Sequence, residues 1–248
     1  MQTNVTHFSC VGCGVCCKGR LIPLTLAETK KWLDRGHEVS VILEAFDESN
    51  WPRPPQEFAH AVSRSVTVRS GDARIQVIAV FAGRALEQCP NLRADNLCGI
   101  YEDRPLVCRI YPIEVNPFIP LDTSNKACPP QAWESDQILC SDGHTDSALE
   151  AIINQSRYSD RVDASRKIAI CIELGLNVAA WKSNALAVYF PTRSELLDAI
   201  GSAKEGPDDY PGWEWQVRVE DPSLRDRLTV SAVALSSNES TDYIFHRL

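Results

Sequence analysis

Basic residues are the minority in this chain, 25 Lys and Arg against 33 Asp and Glu, for a formal charge of −8. A nucleic-acid footprint needs a basic patch that releases phosphate counterions, so the balance argues against such a partner and leaves room only for a small local basic site. No stretch approaches the roughly 18 consecutive apolar residues of a membrane span. The opening MQTNVTHFSC lacks the positively charged segment and apolar run of an export signal. The protein is therefore read as cytoplasmic, unprocessed and without a membrane partner. Also missing are a G-x-G-x-x-G phosphate loop, an H-E-x-x-H pair, a G-x-S-x-G elbow and a radical-type C-x3-C-x2-C run. These absences leave little positive support for an enzyme, although catalysis at a cluster with an open coordination position stays open. There is no internal repeat and no low-complexity tract.

What the chain does have is a full-sized apolar complement, 44% of 248 residues, enough to bury a real core. It also has ten cysteines, eight of which fall between residues 10 and 128. They open with Cys10-x-x-Cys13-x-x-Cys16-Cys17 and continue with Cys89, Cys98, Cys108 and Cys128. A secreted disulfide protein spreads its bridges through the fold, whereas here the last hundred residues hold only Cys171. Clustering of this kind favours ligation. Cys140 and Cys171 lie apart and read as small buried hydrophobes.

The coarse pattern is α+β. Thr25-x-x-Glu28 predicts a capping box for a helix ending near Gly36, with Leu26, Thr29, Trp32 and Leu33 as its inner stripe. Residues 37–60 are harder to read, and Trp51-Pro52-Arg53-Pro54-Pro55 must be loop. RSVTVRSGDARIQVIAVF predicts a β-hairpin turning at Ser70-Gly71-Asp72. Residues 89–112 are turn-rich, with Pro105 opening a short helix that carries Cys108. Cys128-Pro129-Pro130 is extended. After about residue 143, helices are expected over DSALEAIINQSRYSD and DASRKIAICIELGLNVAAWKSN. A strand at ALAVYFP follows, then a helix capped by Thr192 and Glu195, and strands at WEWQVRVE and RLTVSAVALS. KEGPDDYPGW reads as a surface turn. The expected organisation is a small irregular metal-organised cysteine-rich domain with a β-hairpin and helices over 1–142, followed by a small α+β unit over 143–248.

A mononuclear zinc site usually announces itself as two separated C-x2-4-C pairs. This chain instead has three thiols at three-residue steps, an adjacent fourth, and four single cysteines. Cys10, Cys13, Cys16, Cys17, Cys89, Cys98, Cys108 and Cys128 are thus candidate metal ligands, enough for two four-coordinate sites. In extended backbone, Cys16 and Cys17 would point to opposite faces and serve different metals. The C-x2-C-x2-C step, with Cys89-Pro90 and Cys128-Pro129, favours an iron–sulfur cluster, [4Fe–4S] in type, over zinc. Arg104 and Arg109 can offset thiolate charge or hold an anionic partner, and Tyr101 and Tyr111 can donate hydrogen bonds to sulfur. His7 reads as an exposed terminal histidine rather than a ligand, and His144 has no paired thiol.

Phe8-x-Cys10-x-x-Cys13-Gly14-x-Cys16-Cys17, then Pro23-Leu24-Thr25 with Glu28, then Cys98-x-Ile100-Tyr101-x-x-Arg104-Pro105-x-x-Cys108-Arg109-x-Tyr111-Pro112 resemble the YkgJ-type cysteine-cluster family, the CxxCxxCC putative zinc- or iron-chelating domain. Cys89 sits where that pattern has a cysteine before its second block. The resemblance covers residues 8–128 and implies a Cys-ligated zinc or iron–sulfur centre in a bacterial-type cytoplasmic protein. Some members are named flagellin lysine N-methylases. A metal-binding protein is therefore the first expectation. A cluster-dependent enzyme acting on a protein or peptide and a zinc-stabilised interaction module are the alternatives.

Overall fold

The computed structural model describes residues 5–182, 184–203, 212–236 and 242–248. Along the chain run β1 (Val5–His7), β2 (Arg20–Leu24), α1 (Leu26–Asp34), β3 (Val39–Phe46), α2 (Pro55–Val62), β4 (Val66–Ser70) and β5 (Ala73–Ala85). Then come α3 (Leu106–Ile110), β6 (Ile138–Ser141), β7 (His144–Thr145), α4 (Ser147–Val162), α5 (Ala164–Glu173), β8 (Val178–Trp181) and β9 (Ala185–Tyr189). The last are α6 (Arg193–Ser202), β10 (Gln216–Arg218), α7 (Pro222–Val230) and β11 (Tyr243–Arg247). The class is α+β, as expected.

Two compact units share these elements, and both are discontinuous: residues 1–22 with 84–158, and residues 23–83 with 159–248. The chain crosses between them inside β2, β5 and α4. None of the crossings falls at the 142/143 boundary expected from composition, and the hairpin belongs with the C-terminal elements rather than with the cysteines. Composition follows the chain linearly, whereas a unit forms wherever apolar faces meet, so an inserted segment escapes it.

The second unit is conventional. β3 is buried along its whole length. It pairs antiparallel with β5 from Val39 opposite Gly83 to Phe46 opposite Gln76. Its other edge meets β9 antiparallel and β8 parallel. A strand covered on both faces carries apolar residues at consecutive positions, here Val41, Ile42 and Leu43, and so lacks the alternation of a half-exposed strand. β4 turns into β5 with Ser70 opposite Ala73, as the Gly71-Asp72 signal predicts. α1 and α6 carry the expected capping boxes, Thr25 with Glu28 and Thr192 with Glu195. Among the largest side chains buried in this unit are Trp32, Trp215, Phe46, Phe81 and Leu43.

Two expectations fail here. RLTVSAVALS begins as helix α7, because Asp221 caps it by accepting from Leu224 N at 2.7 Å and Pro222 occupies the first turn. Those start signals outweigh the β-branched residues that follow. The helix over 163–184 stops at Glu173, where left-handed Gly175 turns the chain into β8. Most of KEGPDDYPGW, residues 204–211, lies outside the described residues.

The first unit has little regular structure. A three-stranded sheet of order β1-β6-β7 and the helices α3 and α4 frame it. Its apolar nuclei are small: Phe8 with Ala132 and Leu139, and Leu106 with Ile110 and Ile153. Between them run turns, and the turns carry the cysteines.

Candidate metal centre

All eight candidate cysteines lie in this unit. The insertion of residues 23–83 is what separates the two cysteine blocks in sequence. Gly12 and Gly14 adopt left-handed backbone at φ 66° and 69°. A Cβ on Gly12 would stand 2.6 Å from Leu97 Cδ2, and one on Gly14 would crowd Asn96 and Leu92 at 3.2–3.3 Å. The first cysteine loop is thus pressed onto the loop of residues 91–97, and only glycine fits. Cys89 N donates to Cys17 O at 2.6 Å and ties the loops together. The second loop closes on itself through Arg93 N to Leu97 O and Gly99 N to Asn91 O, at 2.9 and 2.7 Å. Pro105 stands at the N-terminus of α3, which carries Cys108.

Val15–Cys17 is a single 3-10 turn entered from Gly14, not extended backbone. Cys16 and Cys17 therefore do not point to opposite faces. The Cys17 thiol hydrogen-bonds to the Cys16 sulfur and lowers the Cys16 pKa to about 6, against burial and with help from the Arg20 and Arg104 charges. The same bond, burial and the charges of Cys16, Cys89 and Cys108 push Cys17 far upward. Burial drives Cys108 up to about 12; Cys89, Cys16 and Cys98 add to this, and Arg104 offsets part of it. Cys89 is raised by burial, then by Cys98 and Cys16. Cys128 is raised by burial and by Cys16, Cys13 and Cys10, while Tyr111 lowers it. Every one of the eight sulfurs is thus within electrostatic reach of at least one other, and all are free thiols.

Cys140 and Cys171 are buried as expected, and neither is among the leading charges on the eight. Among the described residues, no three Cys, His, Asp or Glu side chains are arranged to hold a metal ion outright. The thiols are neighbours that have not converged on a point. As a donor set they fit zinc or iron: soft, mostly half-buried, unbridged, and mutually repulsive once ionised, a cost that a bound cation removes.

The polar residues divide. Arg104 acts on Cys16 and Cys108, donates from Nε to Tyr101 O at 2.9 Å, and lies 3.7 Å over the Tyr101 ring. Tyr101 is exposed and serves as the platform for that guanidinium. Arg109 is exposed and is not among the leading charges on any sulfur. Tyr111 meets Cys128: the thiol donates to Oη at 3.6 Å, and once the sulfur ionises the hydroxyl becomes the donor. Burial and then this contact raise Tyr111 to about 12. Arg20, passed over in the sequence, lies 5.9 Å over the Tyr111 ring and lowers Cys16. Its place three residues after Cys17 was the available signal. His7 is half-buried in β1 rather than exposed, with Nδ1 buried and unpartnered. His144 is exposed in β7.

An α+β scaffold that presses glycine-hinged loops together and gathers eight free cysteines into one unit has the character of a cysteine-rich metal-binding domain. Residues 9–131, just under half of the chain, match the family described as "CxxCxxCC: Putative zinc- or iron-chelating domain". No curated protein and no solved structure matches the chain. Among the described residues, no helix is long and apolar enough to cross a membrane.

Proposed function

We propose that Cys10, Cys13, Cys16, Cys17, Cys89, Cys98, Cys108 and Cys128 hold one or two metal centres, and that the centre is an iron–sulfur cluster rather than zinc. The observation that carries this reading is the single electrostatic network joining all eight free thiols and leaving out Cys140 and Cys171. Packing alone gives no reason to crowd eight ionisable sulfurs, because each ionisation raises the cost of the next. Iron–sulfur is preferred on the C-x2-C-x2-C step and the two Cys-Pro pairs. When bound, such a centre supplies one-electron redox chemistry or a stable structural anchor.

The chain's own residues prepare for it in three ways. Gly12 and Gly14 let the loops approach; Arg20 and Arg104 bring positive charge to Cys16; Tyr111 offers a hydrogen bond to Cys128. Anaerobic purification followed by metal and sulfide analysis and visible absorption tests the proposal. Iron and acid-labile sulfide in matching amounts are expected. Zinc without sulfide would move the assignment to a zinc centre, and a metal content unaffected by serine at these positions would end it.

A further inference from the structure

The rim of the cysteine loops differs from the rest of the chain. No Asp or Glu occurs before Glu28, although the protein carries 33 of them. That acid-free segment contains Lys18 and Arg20, both exposed and without an ion pair among the described residues. Arg104 contributes a third cation near Cys16, stacked on exposed Tyr101 and hydrogen-bonded to a carbonyl rather than a carboxylate. Between these charges stand apolar side chains that nothing covers: Val11, Val15 and Leu97 are each nearly half exposed. Leu97 lies against the Cys10–Cys17 loop at Gly12, next to Val11, and Arg20 and Arg104 both act on Cys16 of the same loop. Nearby Asp95 is paired with Arg93 at 2.7 Å, Asp103 has a partner as well, and Glu102 stands as an exposed acid beside the stack.

We propose that this face is a docking surface for the acidic surface of a partner protein, placed over the cysteine centre. Exposed apolar side chains interleaved with Arg and Tyr have the composition of an interface core with a charged rim. A chain of net charge −8 that keeps unpaired cations together at one face is complementary to an acidic partner, and its remaining charge repels a long polyphosphate. The apolar residues also distinguish the face from a site for a small anion, which would use the cations alone. The surface lies over the centre proposed above, but the docking itself needs only the loops in their observed arrangement.

The test uses the full-length protein as purified, with its metal content measured in each sample. The probe is a fluorescent ten-residue peptide of eight glutamates and two leucines, titrated by anisotropy at low and moderate salt. Saturable binding that weakens with salt is expected. Lys18→Glu should weaken it about tenfold. Val15→Ser should weaken it severalfold, Glu102→Gln should tighten it, and Arg161→Glu should leave it unchanged. Lys18, Val15 and Glu102 are exposed, so their variants should fold and keep the wild-type metal content. Absence of saturable binding at low salt, or wild-type binding by Lys18→Glu, would overturn the proposal. So would displacement of the peptide by inorganic phosphate or by a short oligonucleotide at matched charge, either of which would reassign the face. Binding that persists in samples devoid of metal would sustain the docking surface while counting against the metal centre.

Discussion

The two units of this protein solve the problem of folding in opposite ways. Residues 23–83 and 159–248 rest on a mixed sheet whose central strand is fully buried, capped helices, and large apolar side chains such as Trp32, Leu43 and Phe81 at 0–2% exposure. Even their buried charges are paired: Lys182 Nζ reaches both oxygens of Glu44 at 2.8 Å, and Asp160 holds Arg64 at 2.5 Å and Lys167 at 3.1 Å. Residues 1–22 and 84–158 have two small apolar nuclei, long runs of turns, and eight mostly half-buried thiols that repel one another when ionised. A core that small leaves stability to something other than apolar burial. One unit is specified by its own apolar side chains, and the other, on the proposed reading, by what its thiols bind.

The largest expected effect breaks that contrast directly. Metal removal by a chelator, or alkylation of the thiols, should unfold the cysteine unit and spare the other, because metal binding and folding are linked only where the ligands are. Hydrogen exchange read by mass spectrometry should show amides of 8–22 and 89–128 losing protection while those of β3, β5 and β9 keep theirs. Equal loss in both units would show that they are not independent.

The converse experiment strikes the apolar core. Leu43→Ala removes a fully buried side chain from β3 and should cost about 2–5 kcal/mol in chemical denaturation. Metal content of the native fraction should remain that of the wild type. A variant that folds but loses its metal would mean the cysteine unit takes its shape from the sheet.

A smaller change tests the loop contact. Gly12→Ala introduces a Cβ 2.6 Å from Leu97 Cδ2 at a φ of +66°, and should cost about 1–3 kcal/mol within the cysteine unit. Gly19→Ala is the control, since its φ is also positive but nothing lies within 4 Å. A thermal melt followed by the visible absorbance of the centre should separate the two. Equal effects would place the cost in backbone strain alone.

These particulars also show what could be read from sequence. Capping boxes, the hairpin and the proximity of the two cysteine blocks are legible because each depends on residues a few positions apart or on a repeated chemical type. The interleaving of the units was not legible, since nothing local marks the insertion of 23–83. α7 shows the opposite case: its local cap, Asp221-Pro222, is legible in the sequence, but the β-branched residues after it point to a strand. At the site, Arg104 and Tyr111 were found from their place near cysteines. Arg20, the first residue of β2, gives no local sign of its role, because Tyr111 comes against it from the second cysteine block.

Acid should expose a further difference. Burial disfavours the Asp160 carboxylate, but the charges of Arg64 and Lys167 outweigh it and hold its pKa below the ordinary value. A carboxylate depressed in the folded state contributes stability that is present above its unfolded pKa and is lost as pH falls through the folded one. The unit containing α2, α5 and Asp160 should therefore lose stability as the pH drops below the ordinary carboxylate range. Asp160→Asn should flatten that dependence in urea titrations while lowering stability at neutral pH. An unchanged slope would mean that other carboxylates govern the acid limb.

The smallest expected effect concerns the two arginines that flank Cys108. Both lie within RPLVCRIYP, and sequence alone gives them the same role. The structure separates them: the Arg104 charge acts on Cys16 and Cys108, while exposed Arg109 is not among the leading charges on any thiol. Several thiolates around one centre carry more negative charge than the metal neutralises, so a guanidinium in reach should favour the assembled state. Solvent screens that contribution, because Arg104 is only partly buried, and the effect is one of degree. Arg104→Ala should lower metal occupancy or shift the midpoint potential of the centre. Arg109→Ala should do so less, though still more than the exposed control Arg161→Ala. The order Arg104, Arg109, Arg161 is the prediction, read by metal analysis and by redox titration of the visible spectrum. If Arg109 proves the stronger, its side chain turns toward the thiols when metal binds, and the charge balance of the loaded centre is set from α3 rather than from the Tyr101 platform.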